Sequence, residues 1–158
     1  MPASASELVH GTAIALAGRA ALIRGDSGVG KSDLVLRCLA TPVSSLIPHP
    51  AQLVADDRVQ IEAVGSTLIA RAPPQLRGLL EVRGLGIIPM PFAEQAELVL
   101  VVDLVAPKEV ERLPDPWPRT DLLGRALPRL ALWPFEASAP LKVLLALHRL
   151  NLSSESTS

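Results

Sequence analysis

The 158 residues correspond in length to one globular domain, with 49% hydrophobic and 20% charged residues. The formal net charge of −1 provides no field that would attract nucleic acid or an acidic membrane surface, so we expect neither nucleic-acid binding nor membrane insertion. The one cysteine, Cys38, excludes a disulfide within the chain, and we expect it to be a small buried residue rather than a reactive thiol. The first residues lack a signal-peptide pattern, which predicts a cytoplasmic protein.

The first half of the sequence consists mainly of short apolar segments separated by turn signals. Five of these segments are predicted to be extended, at residues 8–17, 20–24, 53–55, 59–62 and 67–71. The last two flank Gly65-Ser66, which predicts a hairpin. A periodic apolar pattern predicts a helix that begins near Lys31, and a loop with three prolines follows it at residues 41–50.

The second half is predicted to contain three more extended segments, at residues 80–88, 97–105 and 127–132. The middle one is nearly all aliphatic, which is typical of a strand that is buried on both faces. Residues 107–118 contain four prolines and are predicted to be an exposed connection.

A closing helix is predicted at residues 138–150, with Ser138 as its N-cap. Its periodic face is predicted to contain Leu141, Leu144, Leu145 and His148. The strand that runs into the first helix forms a βα unit, so we predict an α/β fold around a mixed β-sheet. Residues 1–150 are predicted to form a single domain and the Ser-rich residues 151–158 a disordered tail.

Residues 25–32 match the phosphate-loop (P-loop) pattern G-x-x-x-x-G-K-[ST]. They are Gly25, Asp26, Ser27, Gly28, Val29, Gly30, Lys31 and Ser32. The glycines allow a tight turn in which main-chain N–H groups face an anion, and the following helix presents its positive end to the same anion. Lys31 is predicted to bind the β and γ phosphates, and Ser32 is predicted to bind Mg²⁺. The pattern therefore predicts binding of a nucleoside triphosphate.

A P-loop enzyme also needs a carboxylate that holds the metal ion, usually an aspartate at the end of an apolar strand. Two positions fit, the Asp56-Asp57 pair and Asp103, and the pattern alone favours Asp103. Adjacent carboxylates repel each other unless a cation or a shared proton intervenes, which makes the pair unusual. A third feature, Glu81 and Arg83, places an acid and a base on the same side of an extended segment. A solvated turn would explain the Asp56-Asp57 pair equally well, and a surface ion pair would explain Glu81 and Arg83 better as long as no other context is considered.

Four stretches, taken together, resemble the catalytic domain of the HPr serine kinase/phosphorylase family. They occur in the family's order, at residues 9–11, 25–32, 53–59 and 80–88. The resemblance implies a P-loop fold similar to that of phosphoenolpyruvate carboxykinase. It also implies an ATP- and Mg²⁺-dependent kinase that phosphorylates a serine of an HPr-type phosphocarrier protein, and many members also remove this phosphate by phosphorolysis. Long members are hexamers, so the resemblance implies a homo-oligomer.

The resemblance implies catalytic roles for individual residues. Asp57 is expected to be the acid/base, with Asp56 beside it, and His10 is expected to be the active-site histidine. Arg112, in a weaker match at residues 111–113, is expected to be an active-site arginine. Lys31 is expected to bind the phosphates, and the expected Mg²⁺ ligands are Ser32 and Glu81. The other histidines, His49 and His148, are expected to be structural.

The sequence departs from the family in three places. The chain begins close to His10, which resembles the short form of the family without a separate N-terminal domain. The connection at residues 41–50 is longer than usual. Residues 133–140 are rich in aromatic residues and proline where longer members have a basic, glycine-containing loop, so the resemblance implies the kinase reaction more directly than phosphorolysis.

Two other functions stay open from the sequence. The first is a P-loop kinase of a small molecule, which would use Asp103 to hold the metal ion. The second is a non-catalytic nucleotide sensor that regulates a partner, although such a sensor has no need of a paired Asp56-Asp57 base. A GTPase switch is disfavoured because its guanine-binding motif needs an internal asparagine, and the only asparagine is Asn151.

Overall fold

The computed structural model describes residues 5–26 and 28–156, the last three by their backbone alone. These residues form eleven strands and two helices. The strands are β1 (Ser6–His10), β2 (Thr12–Leu16), β3 (Arg19–Arg24), β4 (Ala51–Ala55), β5 (Arg58–Val64), β6 (Thr67–Arg71), β7 (Leu79–Val82), β8 (Gly86–Pro89), β9 (Ala96–Leu104), β10 (Arg119–Leu122) and β11 (Arg125–Leu132). The helices are α1 (Lys31–Ala40) and α2 (Ala139–Ser156). The predicted α/β class is confirmed.

Nine of the described strands form one curled mixed sheet. Seven of them follow the order β1-β5-β6-β9-β3-β2-β4, and the other two are β10 and β11. Strand β9 has two partners besides β3. Its first residues pair with β6, and its residues 101–104 pair with β11, which in turn pairs with β10. Strands β3, β9 and β11 are parallel to one another, whereas the other pairs are antiparallel. The carboxyl ends of these three strands therefore lie at one edge of the sheet, where the phosphate loop follows β3.

The strands alternate their side chains between two apolar cores. In β2, Ile14 and Leu16 pack in the core that contains both helices, whereas Ala13 and Ala15 pack in a second core made of strand residues. This alternation explains why whole strands in the sequence are continuous apolar runs. Cys38 lies in the helix-containing core, where burial raises the pKa of its thiol to about 12, as expected for a structural residue.

Three features of the strands differ from the prediction. The segment predicted at residues 8–17 is two strands, β1 and β2, which separate at Gly11 and pair with different neighbours. Residues 80–88 form a hairpin of β7 and β8 rather than one extended segment, because Gly84 and Gly86 take positive φ angles of 88° and 115°. Strand β10 was not predicted, since two of its four residues are charged and it pairs only with β11 at the margin of the sheet.

Helix α2 also differs from its prediction. It continues to Ser156 rather than ending at Leu150, so the helix occupies most of the region expected to be a disordered tail. One reason is that Asn151 is buried and its Nδ2 donates a hydrogen bond to the carbonyl oxygen of Leu16 at 3.0 Å. Leu141, expected on the apolar face, is exposed. No helix in the described part of the chain is long and apolar enough to cross a membrane.

Candidate active site

The phosphate loop connects the end of β3 to the first turn of α1. Gly28 and Gly30 have φ angles of 82° and 102°, a left-handed conformation that favours glycine. The Nζ atom of Lys31 lies inside the loop and donates hydrogen bonds to the carbonyl oxygens of Gly25 at 2.5 Å and Asp26 at 3.0 Å. Lys31 is buried, so its charge is held within the loop rather than in solvent.

Asp56 is the carboxylate that contacts the phosphate loop. Its Oδ1 atom accepts hydrogen bonds from the hydroxyls of Ser32 at 2.9 Å and Thr12 at 3.2 Å. Its Oδ2 atom accepts a hydrogen bond from the main-chain N–H of Glu81 at 3.0 Å. One carboxylate therefore connects α1, β2 and β7 and fixes the position of Ser32 relative to Glu81.

Asp57 has different partners from Asp56 because the chain turns sharply between them. The N–H of Arg58 donates to the carbonyl oxygen of Asp56 at 2.8 Å, and Asp57 has a φ angle of 68°. These values describe a γ-turn, which is rare and strained. Backbone strain of this kind is concentrated at functional sites.

His10 lies beside Asp57, with 3.5 Å between its Nδ1 atom and the Oδ1 atom of Asp57. The antiparallel pairing of β1 with β5, which places His10 opposite Arg58, brings the two together. The side chains of His10 and Asp57 are 50% and 64% exposed. An accessible carboxylate next to an imidazole can exchange a proton with a group that enters from solvent.

These side chains line a cavity of about 440 Å³ between the phosphate loop and the β7–β8 hairpin. This volume is in the range of small-molecule sites. The cavity is lined by residues from the phosphate loop and α1, from β2, from the Asp56-Asp57 turn and from the hairpin, namely Thr12, Gly28, Gly30, Lys31, Ser32, Asp33, Leu36, Asp56, Asp57, Glu81, Val82 and Arg83. Cationic groups, carboxylates and hydroxyls thus surround one space.

The family model of the HPr serine kinase C-terminal domain matches residues 3–153. The chain belongs to this family. It is 37% identical over 134 residues to the HPr kinase/phosphorylase of Burkholderia lata, an alignment that covers 78% of this chain and 39% of that protein. It is 40% identical over 126 residues to the HPr kinase/phosphorylase of Ralstonia pickettii, which covers 73% of this chain and 36% of that protein. The chain therefore spans less than two fifths of the length of these relatives.

The fold is similar to that of a solved structure in the same family, the Hpr(Ser) kinase/phosphatase from Coxiella burnetii. The TM-score is 0.76 over 94% of this chain and 99% of that chain, with 24% sequence identity. At this identity the likeness establishes the fold, and it confirms the predicted P-loop kinase architecture.

The oxygen atoms around Ser32 fit the Mg²⁺ ion that the kinase family implies. A hydroxyl, the carboxylate of Asp56 and the neighbouring Glu81 are the kind of ligand that Mg²⁺ prefers, and it usually binds one or two carboxylates together with phosphate oxygens and water. Residues 5–26 and 28–156 contain no cluster of three or more His, Cys, Asp or Glu side chains that could hold a metal ion.

Asp103 lies at the end of β9, where two arginines surround its carboxylate. Arg24 donates from Nε and Nη2 to the two carboxylate oxygens at 2.7 and 2.9 Å, and the Nε atom of Arg129 donates at 2.5 Å. Burial raises the pKa of Asp103, but the hydrogen bonds from Arg24 and Arg129 outweigh this and hold the pKa below its usual value. The hydrogen bond to Asp103 also raises the pKa of Arg24. Asp103 is not among the cavity-lining residues, so the structure does not support the preference for it that the pattern gave.

The structure brings most of the predicted site residues together. The predicted residues that line the cavity are Gly28, Gly30, Lys31, Ser32, Asp57 and Glu81, and His10 contacts one of them. Ser27 lies outside the described residues. Arg112 is exposed in the connection between β9 and β10 and does not line the cavity.

Sequence reasoning missed Thr12 and assigned no role to Arg83, although both line the cavity. Thr12 is fully buried, donates to Asp56 and accepts a hydrogen bond from the N–H of Asp57 at 3.4 Å. No local signal marks Thr12, because its partners lie 44 and 45 residues away in the sequence. The sequence did contain a signal for Arg83, because Glu81 and Arg83 are an acid and a base on the same side of an extended segment.

Proposed function

We propose that this domain is the catalytic part of an ATP- and Mg²⁺-dependent kinase that phosphorylates a serine of an HPr-type phosphocarrier protein. The observation that carries the proposal is the 2.9 Å hydrogen bond between Ser32 and Asp56, which connects the phosphate loop to the strand-end aspartates. The names of the relatives, HPr kinase/phosphorylase, support the choice of substrate.

The phosphates of the nucleotide bind at the loop and at the first turn of α1, where main-chain N–H groups and the helix dipole favour negative charge. Lys31 exchanges its two carbonyl partners in the loop for phosphate oxygens. Ser32, Asp56 and Glu81 would hold the magnesium ion. When bound, this ion neutralises charge on the phosphate groups.

Asp57 acts as the general base in this proposal. A serine hydroxyl is a weak nucleophile, so a carboxylate must accept its proton as the oxygen bonds to the γ-phosphorus and the bond from that phosphorus to the bridging oxygen of ADP breaks. Asp57 suits this role because it lines the cavity and its side chain is 64% exposed. His10, 3.5 Å from Asp57, positions the carboxylate.

The phosphorylase half of the relatives' name is consistent with the same groups working in reverse. A protonated Asp57 would return its proton to the serine oxygen as inorganic phosphate attacks the phosphoserine phosphorus, which releases pyrophosphate. The residues that hold the phosphates and the metal ion are the same in both directions. Phosphorolysis is therefore the second activity that we propose for this domain.

The test is a transfer assay that follows the intact mass of an HPr-type carrier incubated with the protein, ATP and Mg²⁺. We expect one phosphoryl group to be added to the carrier, on a serine located by fragmentation of the product. Tight ATP binding without any transfer would contradict the proposal and favour a small-molecule kinase or a nucleotide sensor.

We also propose a homo-oligomer, on the basis of the family resemblance alone. Light scattering during size-exclusion chromatography measures the mass in solution. A particle with the mass of one chain across the micromolar range would contradict this part of the proposal.

A further inference from the structure

An exposed aromatic ring lies directly against the phosphate loop. Phe135 is 61% exposed, yet a Cβ atom placed on Gly30 would be 3.4 Å from its Cε1 atom and 3.5 Å from its Cζ atom. The ring therefore lies next to the last glycine of the loop, and more than half of the residue's surface is exposed to solvent. Trp133 packs against Phe135 in an edge-to-face arrangement, with 6.2 Å between the two ring centroids.

The backbone that carries Phe135 is held from two sides. From α1, Arg37 donates hydrogen bonds to the carbonyl oxygens of Pro134 at 2.5 Å and Glu136 at 3.5 Å. From α2, Lys142 forms an ion pair with the side chain of Glu136. The ring is thus presented by a fixed segment, so a ligand that contacts it need not order the segment on binding.

The segment also lies where this kind of sheet binds its ligands. It follows β11, which is parallel to β9, and β9 is parallel to β3, the strand that leads into the phosphate loop. In α/β sheets, ligands bind outside the carboxyl ends of the parallel strands. Aromatic residues are scarce in the chain, with two phenylalanines, two tryptophans and no tyrosine, and one of each lies in this segment.

We propose that Phe135, supported by Trp133, is the surface on which the base of the bound nucleotide stacks. This inference rests on the proposed nucleotide-binding function and adds the site of the base to that of the phosphates. Stacking uses the π-face that every base has. We therefore expect this surface to contribute affinity with little discrimination between adenine and guanine.

The test compares the binding of ATP with that of inorganic tripolyphosphate, both with Mg²⁺, by titration calorimetry. Tripolyphosphate has the same chain of phosphates without a base. Replacement of Phe135 by alanine is expected to weaken ATP binding about tenfold, from the usual contribution of base–aromatic stacking, and to leave tripolyphosphate binding unchanged. Phe135→Tyr keeps the ring and is expected to bind ATP as the parent does.

Phe92→Ala is the matched control, because Phe92 is also a partly exposed aromatic residue but contacts Gly78 instead of the phosphate loop. It is expected to leave both affinities unchanged. Equal losses for ATP and tripolyphosphate in Phe135→Ala, or no loss for ATP, would overturn the base site and leave the proposed kinase function intact. A parent protein that binds neither compound would overturn the proposed function, and the base site with it.

Discussion

Two aspartates, Asp56 and Asp103, stand at the ends of apolar strands in this domain, and they differ in the charge of the groups that surround them. Asp56, after β4, accepts hydrogen bonds from the neutral hydroxyls of Ser32 and Thr12. Asp103, at the end of β9, lies between the guanidinium groups of Arg24 and Arg129. A carboxylate among hydroxyls can share its charge with a metal ion, whereas two arginines already neutralise a carboxylate and repel a further cation. The strand-end pattern locates both residues, and the charge of their neighbours is the reason that we propose Asp56, and not Asp103, as the carboxylate that holds the metal ion.

The largest expected effect is at Asp57, which follows Asp56 in the sequence and is the proposed base. Asp57→Asn removes the proposed base but keeps a residue type that tolerates a φ angle of 68°. We expect phosphoryl transfer to fall by roughly 10² to 10⁴, the usual contribution of a general base, while ATP affinity is kept. Single-turnover transfer and ATP titration measure the two quantities. Transfer at nearly the parental rate would contradict the assignment.

The second effect is on stability, at Asp103. Asp103→Asn leaves two arginines without their counter-charge, and we expect a free energy of unfolding about 2 kcal/mol lower, less than for a fully buried pair because the arginines are partly exposed. Urea unfolding at neutral pH measures this difference. A variant as stable as the parent would show that the arginine cluster does not stabilise the fold.

The pKa of Asp103 also predicts how this difference depends on pH. Its pKa in the folded protein lies below the ordinary value of 3.8, so the ionised carboxylate stabilises the fold above that value. This stabilisation is lost as the pH falls through the folded pKa. The gap in stability between the parent and Asp103→Asn should therefore narrow as the pH falls below 3.8. A gap that stays constant in acid would contradict the lowered pKa.

The smallest effect is expected at Thr12, which supports Asp56 from β2. Thr12→Val keeps the shape of this buried residue but removes the hydroxyl that donates to Asp56 at 3.2 Å. We expect a net loss of about 1.5 kcal/mol, the lower end of the range for a hydrogen bond to a charged group, because this bond is long. We expect transfer to slow by about tenfold, the equivalent of this free energy. Thr12→Ser restores the hydroxyl and should restore the rate, and a serine variant as slow as the valine variant would point to packing instead.

The fold was predictable where its signals are local. The phosphate loop, α1 and the β5–β6 hairpin follow from glycines, a 3.6-residue period and a turn signal within short windows. The order of the strands in the sheet was not predictable. Strand β3 pairs with β9, which lies more than seventy residues away in the sequence, and no short pattern encodes that parallel pairing. The β7–β8 hairpin was missed because residues 80–88 were predicted to be one extended segment, whereas Gly84 and Gly86 take the positive φ angles of a turn.

The site was predictable to a similar extent. Lys31 and Ser32 belong to a motif with a physical reason for each position, and Asp57 and His10 came from the family resemblance. The sequence did not reveal that Asp56 is the junction between three elements, because the strand pairing that joins them is long-range. Phe135 belongs to residues 133–140, which the sequence marked only as a departure from the family, because its place beside Gly30 depends on the parallel course of β11, β9 and β3.

The most direct measurement is a Mg²⁺ titration of phosphoryl transfer at fixed ATP, with the parent, Asp56→Asn and Asp103→Asn proteins. If Asp56 holds the metal ion, Asp56→Asn raises the half-saturating Mg²⁺ concentration by about tenfold or more, the usual loss for a disrupted metal site, and Asp103→Asn leaves it unchanged. A raised Mg²⁺ requirement in Asp103→Asn, with a parental requirement in Asp56→Asn, would contradict the assignment of the two aspartates.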